Sequence, residues 1–450
     1  MVSKKELRVG LAVFGNGNPK VEYFIQKIRR DCFTPVNEKY SSFEFPELIK
    51  DFSIAQKASD FFQQKMVDML LLLQGTWTGS NPVVEVAEKV SVPIAYWAPE
   101  DPLGIAFSYI GNLVGLTQNA GVLSKLGIFA KLIYGKEDDP IQHEIFDKFA
   151  QVALAIKNLK RSRVGVIGMS GSPGMLDTEY HLLALKKVLG VEVFKIPFVD
   201  FIKRLNSVKD FEVKTAVDED RLIKRIKVDP GSEYDSFRIY LALKKISDEF
   251  ELNATAFRCW PELLENGINS PCLALSKMSD SGVVSACEGD LTGAVSMLLL
   301  NNLTGNSAYL GDILKVNKEK QEMYLFHCGA AARALAASTE EVSFRLHPEP
   351  ATWKPGVTVD FTIKPGRVTF ARIGEFCGNY RIIVYTGTAT KSEDFVRGNA
   401  MTVKLDKDTD YVIKKIVEFG SEHHQIAVHG DVSQEVRDFA ILTGLRLQEV

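Results

Sequence analysis

The chain has 450 residues, 46% hydrophobic and 25% charged, with a net charge of −3 and a pI near 6.2. That is an ordinary globular composition, with room for two or three separately cored domains. It carries no basic surplus for nucleic acid or an anionic membrane and no apolar run near the roughly 18 residues of a membrane span. With no secretory-type leader at residues 1–15 either, a cytoplasmic protein is expected.

Residues 7–14 (LRVGLAVF) read as a buried strand followed by the loop GNGNP, whose glycines lack dinucleotide-binding spacing. Residues 21–30 and 55–65 are helical, and 66–73 run into a second buried strand that ends at Gly75-Thr76-Trp77. Trp77 fits either a pocket wall or plain packing. A helix at 83–89, a strand at 92–97 and a long helix at 146–159 follow. Alternating strands and helices are the pattern of a parallel sheet wound on both faces. A basic join, KRSR at 160–163, precedes a second α/β unit, which opens with a strand at 164–167, a glycine-rich loop reaching Met175, and a helix from about Asp177. The loop has no Lys-Ser/Thr for a phosphate cradle, and Met175 fits a pocket lining or simple packing. Residues 211–248 read as a charged, solvated helical face, and 254–260 as a strand entering Pro261-Glu262.

The most informative stretch is 285–329. A strand ends at Cys287-Glu288-Gly289-Asp290, and an apolar helix runs from Leu291 to Asn302 with Gly305 as its stop. A short strand at 308–310 delivers Asp312, and a further strand at 323–326 ends at His327. Carboxylate, carboxylate and imidazole therefore fall at neighbouring strand ends, where open α/β sheets collect their ligand chemistry, and these types suit Mn²⁺, Mg²⁺ or Zn²⁺. Glu288 and Asp290 equally suit helix caps, and a lone His327 equally suits a satisfied core position. Beyond it, β-branched strands at 357–363, 367–373 and 380–385 alternate with Lys-Pro-Gly turns at Lys354 and Lys364, which reads as antiparallel sheet. His423, His424 and His429 then crowd into one segment, fitting either a site or a solvated loop. The six cysteines (32, 259, 272, 287, 328, 377) form no C-x-x-C pair, as expected of free thiols in a reducing compartment.

The motifs CEGDLTGA at 287–294, YLGD at 309–312 and EHHQIAV at 422–428 resemble the L-fucose isomerase / L-arabinose isomerase family of metal-dependent ketol isomerases. The strand and helix patterns above read as two doubly wound parallel-sheet domains, at 1–161 and 162–315, followed by a mainly antiparallel β domain at 316–450. The resemblance implies metal ligation by Glu288, Asp312 and His424, with His327 as a further ligand of the arabinose type, and Glu288 and Asp312 as the catalytic acids. Asp312 matches the fucose type, whereas the arabinose type has Glu where Gly311 stands here. Trp77, Met175, His423 and Glu262 are the candidate substrate contacts, Trp77 reaching into a neighbouring subunit's pocket.

The implied cofactor is a divalent ion, Mn²⁺ first and Mg²⁺ or Co²⁺ as alternatives. The implied partners are a small sugar and further copies of the chain, as a trimer or hexamer with the site at a subunit interface. The chemistry expected is interconversion of an aldose and its ketose through a metal-stabilised enediolate. A non-catalytic sugar sensor, or an epimerase or aldolase using the same ion, are the alternatives.

Overall fold

The computed structural model describes residues 4–101, 110–348, 355–392 and 397–450. The turn expected at Lys354 lies outside the described residues. The chain divides into two compact units, Met1–Lys157 and Asn158–Val450. No helix among the described residues is long and apolar enough to cross a membrane.

The first unit is a five-stranded parallel sheet made of β1 (Arg8–Phe14), β2 (Ser41–Glu44), β3 (Met69–Gln74), β4 (Ile94–Ala98) and β5 (Ala130–Tyr134), in the order β2-β1-β3-β4-β5. β3 and β4 are buried along their whole length, as apolar runs without alternation require. The strand order reverses between β1 and β3, and Gly75-Thr76-Trp77 follows β3 at that switch point. Trp77 is 45% exposed there, with its indole N–H donating to Gln118 Oε1 at 3.1 Å.

The second unit holds two sheets. β6 (Arg163–Ile167), β7 (Glu192–Ile196), β9 (Ala254–Phe257) and β10 (Val284–Ala286) form a parallel sheet in the order β10-β9-β6-β7; β8 (Lys224–Ile226) lies elsewhere. The second sheet adds β11 (Tyr309–Asn317), β12 (Glu322–His327), β13 (Ser343–Leu346), β14 (Val357–Thr362), β15 (Gly366–Phe376), β16 (Asn379–Thr390), β17 (Asn399–Leu405), β18 (His424–His429) and β19 (Arg446–Glu449). Its order is β19-β16-β15-β18-β11-β12-β17-β14-β13-β8, mainly antiparallel, and an extra β16–β17 pairing closes six of these strands into a barrel. Parallel sheets followed by a mainly antiparallel one is the fold class read from the sequence.

Two local expectations change. Residues 211–248 are not one solvated face: they contain the helix Asp210–Glu219, the edge strand β8 and part of the helix Pro230–Phe250, whose Phe237, Ile239, Leu243 and Ile246 are buried. Their charges occupy the opposite face and mask the apolar stripe. The glycine-rich loop ends in a single turn, Leu176–Thr178, and the helix waits until Leu182–Leu189, where His181 Nδ1 accepts from the Ala184 N–H and caps it.

Between the parallel sheet and the barrel lies the helix Leu291–Thr304, packed on β9 and β10 and on β15 and β18. Its Leu, Val, Ala and Met residues point all round the axis, the pattern of a helix with no solvent face. It fixes the loop after β10 against the start of β18, and this junction holds the candidate site.

Candidate active site

Strand register assembles half of the site. Asp312 on β11 pairs directly with His424 on β18, while its other neighbour is Phe326 on β12, immediately before His327. Asp312 was expected at a strand end; it sits inside β11, because β18 pairs only as far as Asp312 while β12 carries the strand on to Asn317. Glu288 comes from the other sheet, on the loop after β10. Its φ of 57° lies in the left-handed region, a conformation that costs a non-glycine residue about 1 kcal/mol or more. Gly289 follows at φ 69°, and a Cβ there would stand 2.6 Å from the Met169 carbonyl oxygen, so only glycine lets the glycine-rich loop close over this turn.

Asp290 does cap the helix, accepting from the Gly293 N–H at 2.8 Å. It also accepts from His424 Nδ1 at 2.9 Å. Burial alone would raise the Asp290 pKa, but the Arg372 guanidinium and His424 hold it well below the usual carboxylate range. An ionised carboxylate only accepts, so Asp290 holds a proton on His424 Nδ1 and turns Nε2 toward the site. That fully buried Nε2 lies 3.6 Å from Glu288 Oε2 and 3.9 Å from Asp312 Oδ1. His424 Nε2 and Asp312 Oδ1 have no hydrogen-bond partner among the described residues. Buried polar atoms without partners are costly, and a divalent ion between them is the group this donor set suits.

His423 stands beside this ring, centroid to centroid 4.1 Å, with Nδ1 donating to Asp177 Oδ2 at 2.6 Å and Nε2 3.5 Å from Glu288 Oε2. Burial works against an imidazolium there, yet the Asp177 hydrogen bond and the Glu288 carboxylate raise the His423 pKa to about 10. Burial likewise resists the Glu288 anion, but His423, His424 and His327 bring the carboxyl down to about 2. Glu288 is thus ionised at any working pH. His327 is 3% exposed and its Nε2 lies 3.1 Å from Cys287 Sγ; burial lowers its pKa, so it is a neutral ring with a lone pair to offer.

Two overlapping donor groups result: Asp312, His423 and His424, and Cys287, Glu288, His327 and His424, each with its donor atoms within 4.8 Å of one another. A pocket of about 150 Å³ opens beside Glu288 and His327, lined by Met175, Trp260, Ser172 and four cysteines. Glu262 stands apart from this lining, 2.9 Å from Arg258 Nε in an ion pair. Trp77 belongs to the first unit. Sequence reasoning missed Cys287, Asp177, Arg372 and the second role of Asp290; the CEGD motif was the only hint for two of them.

Asp290→Asn tests the tautomer lock. An amide NH₂ facing Nδ1 makes that nitrogen an acceptor, so the proton moves to Nε2 and the ring no longer ligates. We expect divalent-ion affinity, measured by calorimetry on the metal-free protein, to fall by about 10–100-fold. Unchanged affinity would mean that Asp290 merely caps its helix.

Residues 325–449 match the L-fucose isomerase C-terminal domain. The chain is also 28% identical over 388 residues to a sulfoquinovose isomerase of Alkalicoccus urumqiensis, covering 85% of this chain and 86% of that one. Sulfoquinovose isomerases of Priestia aryabhattai (27%, 86% of each chain) and Clostridium sp. strain MSTE9 (25%, 86% of this chain and 87% of that one) are similar over the same extent. The domain match and the relatives, similar over 85–86% of this chain, agree on one class, the aldose–ketose isomerases. The matched stretch, 325–449, includes the motif around His424 and is similar to the L-fucose isomerase C-terminal domain.

Proposed function

We propose that the chain interconverts an aldose and its ketose at Glu288, Asp312 and His424, which together hold a divalent ion, Mn²⁺ in the first instance. The observation that carries this is the fully buried Nε2 of His424, unpartnered among the described residues and directed between two carboxylates by the Nδ1–Asp290 hydrogen bond. When bound, the ion supplies Lewis-acid stabilisation to the negative charge that develops on the two adjacent substrate oxygens in the enediolate. The protein's own groups do the rest. One of the two carboxylates, Glu288 or Asp312, takes the proton from one carbon and returns it to the next, while the other carries the proton between oxygens. Orientation in so small a pocket contributes several kcal/mol on its own. His423, held as a donor by Asp177, faces the same point and is placed to bond a substrate oxygen. Met175 lines the pocket's wall. A subunit-interface site, Trp77 reaching into a neighbour's pocket, a trimer or hexamer, and a cytoplasmic location complete the reading.

Sulfoquinovose, the sugar in the relatives' name, is the first substrate to assay. Purified protein, stripped with chelator and reloaded with Mn²⁺, is offered sulfoquinovose, L-fucose, D-arabinose and L-arabinose, and ketose is quantified. The expected result is ketose from at least one sugar, only with metal. Turnover that a chelator leaves untouched would end the metal reading.

A further inference from the structure

The four donors Cys287, Glu288, His327 and His424 do not look like the oxygen-rich set that the proposed reaction uses. The Cys287 Sγ to His327 Nε2 separation is 3.1 Å, and His424 Nε2 to Glu288 Oε2 is 3.6 Å. Zinc bonded at its usual ~2.0–2.3 Å in a tetrahedron needs neighbouring donor atoms about 3.3–3.7 Å apart, which the His424–Glu288 pair meets and the Cys287–His327 pair reaches by opening a few tenths of an ångström. All four side chains are at hand, and the His424 nitrogen aimed into the group is fully buried without a partner among the described residues. One sulfur, two imidazoles and one carboxylate form a set that favours thiophilic ions, whereas the two carboxylates of the proposed Glu288, Asp312 and His424 set favour harder ones.

We propose that the site has a second, sulfur-containing coordination mode, in which Zn²⁺ or Cd²⁺ binds Cys287, Glu288, His327 and His424 and excludes the catalytic ion. The exclusion follows from the shared ring: His424 Nε2 has one lone pair and serves one ion at a time. On binding, the Cys287 thiol forms its bond to the ion and releases its proton to solvent. The mode rests on the proposed metal reading but assigns a different donor set, a different class of ion and an inhibitory outcome.

The test uses the full-length protein with the exposed Cys377 replaced by serine, so that this accessible thiol contributes nothing. Cd²⁺ added to the metal-free protein is expected to raise an ultraviolet sulfur-to-metal charge-transfer band that saturates at one equivalent. Zn²⁺ added to the Mn²⁺-loaded protein is expected to release Mn²⁺, read by electron paramagnetic resonance. Cys287→Ser should lose the band and reduce the preference for Zn²⁺ over Mn²⁺ by at least about 10–100-fold, the loss that even an outer partner's removal causes. Cys259→Ser, a change at another thiol lining the same pocket, should keep the band. Mn²⁺ binding with no sulfur band in the parent protein overturns this proposal alone, and needs no variant to fold. A band that survives Cys287→Ser and vanishes in Cys259→Ser also overturns it. Failure of both Mn²⁺ and Cd²⁺ to bind would remove the metal reading beneath it.

Discussion

Glu288→Gln is expected to lower kcat for aldose–ketose interconversion by about 10³-fold or more, while the thermal unfolding midpoint of the metal-free protein stays within a few degrees. The change keeps the side chain's shape and one carbonyl oxygen. It removes the carboxylate charge, which the His423 hydrogen bond leads in holding at a carboxyl pKa of about 2. An amide is both a poor ligand and no base, so it fails in either of the roles open to Glu288. The backbone gives an independent check. At φ 57° Glu288 occupies a conformation that glycine adopts without strain, so Glu288→Gly is expected to be equally inactive without lowering the midpoint. An inactive variant of undiminished stability would mark this residue as one kept strained for chemistry. Near-normal turnover by Glu288→Gln would remove it from the mechanism.

The sequence made Glu288 and His424 visible for different reasons. Glu288 lies between a β-branched run and an apolar helix, so its place at the tip of a strand followed from periodicity alone. The His423-His424 pair stood ahead of an apolar strand in a chain with seven histidines, which drew notice without saying what the rings would face. What brings them within 4 Å of one another is the Asp312–His424 register between β11 and β18, together with a helix packed between two sheets. Neither is encoded locally: register depends on which distant strand supplies the neighbour, and the barrel's closing β16–β17 pair joins strands whose sequences look alike. Asp290 shows the same limit at one residue. Its capping oxygen was legible three positions upstream of Gly293, but its bonds to His424 and Arg372 come from other strands. Arg372 lies in the strand expected at 367–373 with nothing local to mark it, yet it is 1% exposed.

That burial leads to the largest expected effect on stability. Arg372 Nη2 donates to both Asp290 oxygens, at 2.9 and 3.0 Å, and its Nε lies 3.5 Å from Glu422 Oε2, which also accepts from Arg381 at 2.9 Å. Two acids and two guanidiniums thus balance in the interior behind His424. Such a set adds little net stability over a well-packed apolar one, but taking out a single member leaves a charge with nothing to offset it. Arg372→Met is therefore expected to cost about 3–5 kcal/mol in urea denaturation of the metal-free protein. Arg372→Lys, which keeps the charge but not the paired geometry, should fall between. Adding Asp290→Asn to Arg372→Met removes the stranded anion and is expected to recover about 0.5–3 kcal/mol relative to additivity. A cost below about 1 kcal/mol for Arg372→Met would mean that water reaches Asp290. The His424 tautomer would then be set by solvent rather than by a buried carboxylate, and the ordering of the metal site from behind would fall with it.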